Sequence, residues 1–190
     1  MNHLCVYCGS SLGTSDAFIA AAEELGALLA ASNIGLIYGG ATKGLMGRIA
    51  DAVLDAGGQV TGVIPATLRD KEIAHEGLTK LHVVDSMHER KSLMAVLSDG
   101  FVALPGGFGT VEELIEVLTW GQLQFHSKPC GVLNVGGYFN HLLTFFDNAQ
   151  DKGFLKSVHR AMLLVADTPA DLLNQFEHYS PPADEKWRAG

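Results

Sequence analysis

Charge, cysteine and long apolar runs are what this chain has least of, and each shortage removes a class of protein. Only 18% of its 190 residues are charged, and the formal net charge of -8 comes with no basic stripe. A nucleic-acid backbone would be repelled over most of such a surface, although a locally positive pocket can still take a free nucleotide. No apolar run is long enough to cross a bilayer and no basic segment precedes a hydrophobic one, so a soluble, cytoplasmic protein is expected. The three cysteines, Cys5, Cys8 and Cys130, are an odd number and argue against a disulfide framework. Cys5 and Cys8 have the C-x-x-C spacing of redox and zinc sites. Cys5, however, falls inside the apparent strand Leu4 to Tyr7, and residues three apart on a strand face opposite ways. Core or loop packing is the expectation for both.

What is present is an alternation of short apolar runs with helical stretches, in a chain that is 47% hydrophobic and long enough for one well-buried domain. Strands are expected at Leu4–Tyr7, Gly35–Tyr38, Gln59–Pro65, Leu81–Val84, Phe101–Leu104, Gly131–Asn134 and Met162–Val165. Helices are expected from Ser15 or Asp16 to Ser32, over Leu45–Ala56, after Ser86, from Thr110 to Leu123, and over Asn140–Asp151 and Pro169–Phe176. The span from Thr67 to Thr79 shows no clear period and reads as a surface excursion near the site. Continuous apolar strands joined by helices predict an α/β fold, with a parallel sheet of about seven strands and helices on both faces. The domain is expected over residues 1–179, followed by a mobile tail at 180–190. Right-handed crossovers bring every strand-to-helix loop to the carboxyl edge of the sheet, where ligands bind in open sheets.

One of those loops carries the densest signal. In Ala103-Leu104-Pro105-Gly106-Gly107-Phe108-Gly109-Thr110-Val111-Glu112-Glu113 an apolar strand ends in proline, runs through glycines and opens a helix. Backbone without Cβ atoms can approach a ligand closely, and the free N–H groups of the helix face the same space, which suits an anion. Thr110 and Glu113 have capping-box spacing, so Glu113 has a plain reading as a cap beside a chemical one. Two familiar nucleotide patterns are missing. Gly40 to Lys43 lacks the G-x-x-x-x-G-K-[ST] order, and Gly9-Ser10-Ser11-Leu12-Gly13 is no G-x-G-x-x-G. Neither a magnesium triphosphate nor NAD is indicated.

Pro105 to Glu113, PGGFGTVEE, resembles the PGGxGTxxE signature of the LOG family, once mislabelled lysine decarboxylases, and Met87 to Lys91, MHERK, resembles its second signature. The likeness extends to Cys8-Gly9-Ser10-Ser11, Tyr38-Gly39-Gly40, His75-Glu76-Gly77-Leu78 and Leu133-Asn134-Val135, and so covers Leu4 to Phe154. It implies a Rossmann-like domain and a phosphoribohydrolase, an N-glycosidase of cytokinin biosynthesis. Such an enzyme splits AMP or an N6-prenylated adenine nucleotide into free base and ribose 5-phosphate. It implies a homodimer or larger assembly and the use of neither metal nor pyridoxal phosphate. By motif, Arg90 and Glu113 match the catalytic pair. Glu72, Arg90, Lys91, Gly106, Gly107, Phe108, Gly109, Thr110, Val111, Glu112 and Thr119 match substrate-binding positions, Glu72 and Thr119 lying outside the two signatures.

The chemistry is consistent with those residue types. Breaking an N-glycosidic bond develops positive charge on the ribose and needs an attacking water, and one carboxylate beside the sugar serves both needs. Arg90 stays charged and can only orient and neutralise; a solvated helix face is its ordinary alternative. Glu112 and Glu113 diverge by roughly 100 degrees on a helix and cannot both point at one atom. His75 and His88 are candidates to protonate the leaving base only by proximity. Met87, Leu93 and Met94 either line a base pocket or pack in the core, and Trp120 and Phe125 suit core or dimer interface. A carrier or sensor of nucleotides would need the glycines but not Glu113. A pyridoxal-dependent decarboxylase would need a Schiff-base lysine, which nothing in the sequence singles out.

Overall fold

The computed structural model describes residues 1–182 apart from Ile73, with no account of the side chains of 70–73. The tail expected from Ser180 lies, from residue 183 on, outside the described residues. In chain order the elements are β1 His3–Tyr7, α1 Asp16–Ala31, β2 Gly35–Tyr38, α2 Gly44–Asp55, β3 Val60–Pro65, α3 Ala66–Glu72, β4 Lys80–Val84, α4 Met87–Leu97, β5 Gly100–Ala103, α5 Phe108–Gln122, β6 Cys130–Leu133, α6 Asn140–Asp151, α7 Ser157–Arg160, β7 Leu163–Ala166 and α8 Pro169–Glu177. The seven strands form one sheet in the order β4-β3-β2-β1-β5-β6-β7, every pairing parallel.

The apolar strand runs are continuous because both faces of the sheet are covered. Leu4, Val6, Leu36 and Val102 pack with Leu25, Ile49 and Leu172 of α1, α2 and α8 on one face. Cys5, Tyr7, Ile37 and Phe101 pack with Met94 and Leu114 of α4 and α5 on the other. Cys5 and Cys8 sit in these two different layers, and all three cysteines are free and buried, as core packing requires.

Two short helices, α3 and α7, were not expected. The first occupies the start of the span from Thr67 that reads as an excursion. Both are too brief for a hydrophobic period to show, at 7 and 4 residues. No helix of the described residues is long and apolar enough to cross a membrane.

What matters for function is the strand order. The chain leaves β1 toward β2 on one side and later returns to lay β5 on the other. A crevice is thereby created between the loops that follow β1 and β5, the position at which open α/β sheets take ligands. Here the two loops are stitched together, Gly9 N donating to Pro105 O at 3.0 Å.

Candidate active site

The loop after β5 delivers its backbone to that crevice. Val111 N donates to Gly107 O at 3.1 Å as the first bond of α5, so the amides of 107–110 precede the ladder and remain for a ligand. Thr110 does not cap this helix. The cap is Gly107, without any side-chain hydrogen bond, while Thr110 lies one turn inside, 4% exposed. Its side chain packs beneath Gly106, where an added Cβ would stand 2.1 Å from Thr110 Oγ1 and 2.9 Å from Gly9 N. Glycine is required at 106 by that close approach, and the expected capping box does not form. An S-x-x-E cap occurs instead at α4: Ser86 Oγ accepts from Glu89 N at 3.1 Å, and Glu89 Oε2 accepts from Asp85 N at 2.9 Å.

That cap starts the helix that carries Arg90. The side chain is only 8% exposed and reaches over the end of β2, where a Cβ on Gly39 would stand 2.1 Å from Arg90 Nη2. Its partners are few. Nη1 donates to Met87 Sδ at 3.7 Å, Nη2 stands 4.0 Å from Glu113 Oε1, and the buried Nε has no partner among the described residues. A buried guanidinium this poorly satisfied is costly unless a ligand completes it.

Glu113 is enclosed as well, its side chain 12% exposed. Burial is the main reason its carboxyl is pushed up to about 7; Glu112 and Glu116 add to the rise, and Arg90 and Lys91 oppose it. The two neighbouring glutamates do diverge. Glu112 holds Lys91 Nζ, which also donates to Glu116 Oε1 at 3.0 Å. Burial lowers the Lys91 pKa, but these two hydrogen bonds outweigh it and leave the ammonium more firmly protonated than usual. A Schiff-base lysine needs the opposite.

The remaining expected positions spread out. Phe108 is 98% exposed at the mouth of the loop, and an added Cβ on Gly107 or Gly109 would meet nothing within 4 Å. Val111 is half-buried. Glu72 ends α3, and its side chain lies outside the described residues. Thr119 lies eleven positions along α5 from Phe108, about 16 Å at the helical rise. It donates to Ile115 O at 2.7 Å and lines a separate cavity with Ile115, Phe146 and His159. His75 is a structural pin: Nδ1 accepts from Gly77 N at 3.1 Å, so Nε2 donates to Asp51 Oδ1 at 2.9 Å. His88 is exposed. Met94 is core, Met87 is 42% exposed, Trp120 packs on the core and Phe125 is 76% exposed. No three His, Cys, Asp or Glu among the described residues are grouped as metal ligands.

Glu116 and Tyr138 are the side chains that sequence reasoning passed over. Glu116 had a signal, lying four residues after Glu112 and three after Glu113 on one helix face. Tyr138 had none. It donates to Gly106 O at 2.7 Å from 32 residues away.

Fold and site together define a Rossmann-like α/β protein with a buried arginine–glutamate pair beside a glycine-loop helix start at the switch point of its sheet. Comparison with known proteins narrows this. A family model described as "possible lysine decarboxylase" matches residues 46–176, and the chain belongs to that family, the LOG proteins. It is 49% identical over 178 residues to the probable cytokinin riboside 5'-monophosphate phosphoribohydrolase LOGL2 of Oryza sativa subsp. japonica, covering 94% of this chain and 73% of that one. It is likewise 49% identical over 181 residues to the cytokinin riboside 5'-monophosphate phosphoribohydrolase LOG5 of Arabidopsis thaliana, covering 95% and 79%. Among solved structures, the molybdenum cofactor carrier protein of Chlamydomonas reinhardtii superposes with a TM-score of 0.70 at 23% identity, over 93% of this chain and 98% of that one. That likeness concerns the fold.

Proposed function

We propose that this protein is a cytoplasmic phosphoribohydrolase, residues 1–179 forming its hydrolase domain, that cleaves the N-glycosidic bond of AMP or an N6-prenylated adenine nucleotide. The observation that carries the reading is the buried pair of Arg90 and Glu113 at 4.0 Å, an under-satisfied cation beside a carboxyl raised to about 7. Perturbed, enclosed groups of this kind are what acid–base chemistry uses.

The 5'-phosphate sits on the amides of Gly107 to Thr110 at the start of α5, where the helix dipole favours an anion. Glu113, one turn further on, faces the ribose. When ionised it takes a proton from a water whose oxygen bonds to C1' of the ribose. As the C1'–N bond breaks, its electron pair leaves with the base, which takes a proton from solvent while the proton held by Glu113 returns there. Before it deprotonates the water, the carboxylate stabilises the positive charge that develops on the sugar. Arg90 donates no proton at neutral pH; its guanidinium orients the substrate and offsets the charge of Glu113. Lys91 and Glu112 reach substrate by exchanging one of the contacts they share, and Phe108 covers the loop mouth.

A homodimer accords with the apolar side chains left uncovered on the α4, α5 and α6 side, among them Val96 at 73%, Phe125 at 76% and Phe145 at 61% exposure. In a dimer, Thr119 and Glu72 would serve a site built from more than one copy. The test is incubation with AMP and, separately, prenylated AMP, with free base and ribose 5-phosphate followed by chromatography. Release of both products from either nucleotide is expected. Tight binding with no base released would make the protein a carrier and overturn the hydrolase reading.

A further inference from the structure

The glycine loop is soft by composition, yet it must hold its amides in one orientation to select an anion. Gly106, Gly107 and Gly109 give it little intrinsic stiffness, and two of the three have open space around them. One side chain reaches over to fix it. After β6, Asn134 is buried and accepts from Phe139 N at 2.8 Å, while Gly136 and Gly137 take positive φ of 59° and 74° and turn the chain back toward the crevice. That turn places Tyr138 with its ring against Phe18, at 5.5 Å and 78°, and against Phe139, at 5.1 Å and 90°. The hydroxyl then donates to Gly106 O at 2.7 Å. Tyr138, Phe18, Ser10 and Gly107 wall a cavity of about 300 Å³ at the switch point.

Gly106 O and Gly107 N–H belong to the same peptide unit. A donor on the carbonyl end fixes the plane of that unit and polarises it, which makes the N–H at the other end a stronger donor. Gly107 N–H is also the first amide of the row facing the proposed phosphate, since α5 begins at Phe108. From this we infer that Tyr138 is a positioning residue for the phosphate of the substrate, acting through the 106–107 peptide and not by touching the reacting bond. The inference rests on the phosphoribohydrolase reading.

Tyr138→Phe keeps the aromatic packing and removes only the hydroxyl. Binding of ribose 5-phosphate and of adenine to wild type and variant, measured by calorimetry, is read beside hydrolysis of AMP. Expected are a Kd for ribose 5-phosphate and a KM for AMP each raised about 3- to 10-fold, the range for one lost hydrogen bond, with kcat and adenine affinity within about 2-fold. Unchanged ribose 5-phosphate affinity in the variant would overturn the role of Tyr138 while leaving the hydrolase reading intact. An equal loss for adenine would mark a general structural defect and overturn it too. Failure of the wild type to bind ribose 5-phosphate or AMP would remove both readings together.

Discussion

Arg90 Nη2 and Glu113 Oε1 stand 4.0 Å apart, both side chains nearly sealed from solvent, and the carboxyl is still raised to about 7. At this distance a full cation should hold a carboxylate well below its ordinary range. Desolvation wins because the pair does not close into a direct hydrogen bond and because Glu112 and Glu116 add like charge. The site is therefore poised near neutrality in the absence of ligand.

Glu113→Gln keeps the size and removes the titration. It should leave nucleotide affinity within a few fold and lower turnover by at least ~100-fold, the lower end for a lost acid–base group. Steady-state kinetics with AMP decide this, and equal turnover in the variant would remove Glu113 from the chemistry.

The pH profile follows from the same residue. A general base must be ionised, so kcat/KM should rise on its acid limb with a midpoint near about 7. Arg90→Met removes the largest influence that lowers the Glu113 pKa and should move that midpoint upward, while weakening nucleotide binding. A midpoint that stays in place, with binding unchanged, would make Arg90 a bystander.

Stability should run the opposite way from activity. The folded carboxyl holds its proton up to about 7, whereas the unfolded one releases it near 4.5, so between these values the folded state binds more protons and loses stability as pH rises. The loss is on the order of 3 kcal/mol once pH exceeds 7. Glu113→Gln does not titrate, so its Tm should exceed that of wild type by a margin that grows from pH 5 to pH 8. A constant margin in thermal melts over that range would show that Glu113 is not raised.

Gly39→Ala tests how Arg90 is placed. The added methyl would stand 2.1 Å from Nη2, and no positive φ is involved, so the side chain must move while the backbone stays. Turnover should fall more than about 10-fold, since small misplacements of a positioning group are expensive in rate, with little change in far-UV circular dichroism. Full activity would mean that the position of Arg90 is unimportant.

Much of this fold was legible because its signals are local. Runs such as Leu36-Ile37-Tyr38 and Phe101-Val102-Ala103 announce strands buried on both faces, and Ser15 and Thr168 accept from backbone amides at the starts of α1 and α8. Alternation of strand and helix was enough to predict a parallel sheet, and right-handed crossover to put the loops after β1, β2 and β5 along one edge. The 105–113 stretch could be picked out by residue type and spacing, and the 87–91 stretch by its resemblance to the second LOG signature. Local pattern also misled where two readings share one spacing, as with Thr110, whose capping-box distance to Glu113 conceals a packing role under Gly106.

The amino-acid sequence by itself determined the layers of this protein, the edge at which its loops gather and the glycine segment of its candidate site, because hydrophobic period, caps and glycine content act over a few residues. Only the tertiary structure decided which side chains meet there. The approach of Arg90 to Gly39, the sharing of Lys91 between Glu112 and Glu116, and the bond from Tyr138 to Gly106 depend on the docking of α4 and α5 and on the turn after β6. Those contacts join residues far apart in the chain, and no periodicity records them. The raised carboxyl of Glu113 has the same origin, since burial and neighbouring charge belong to the folded site and not to glutamate itself.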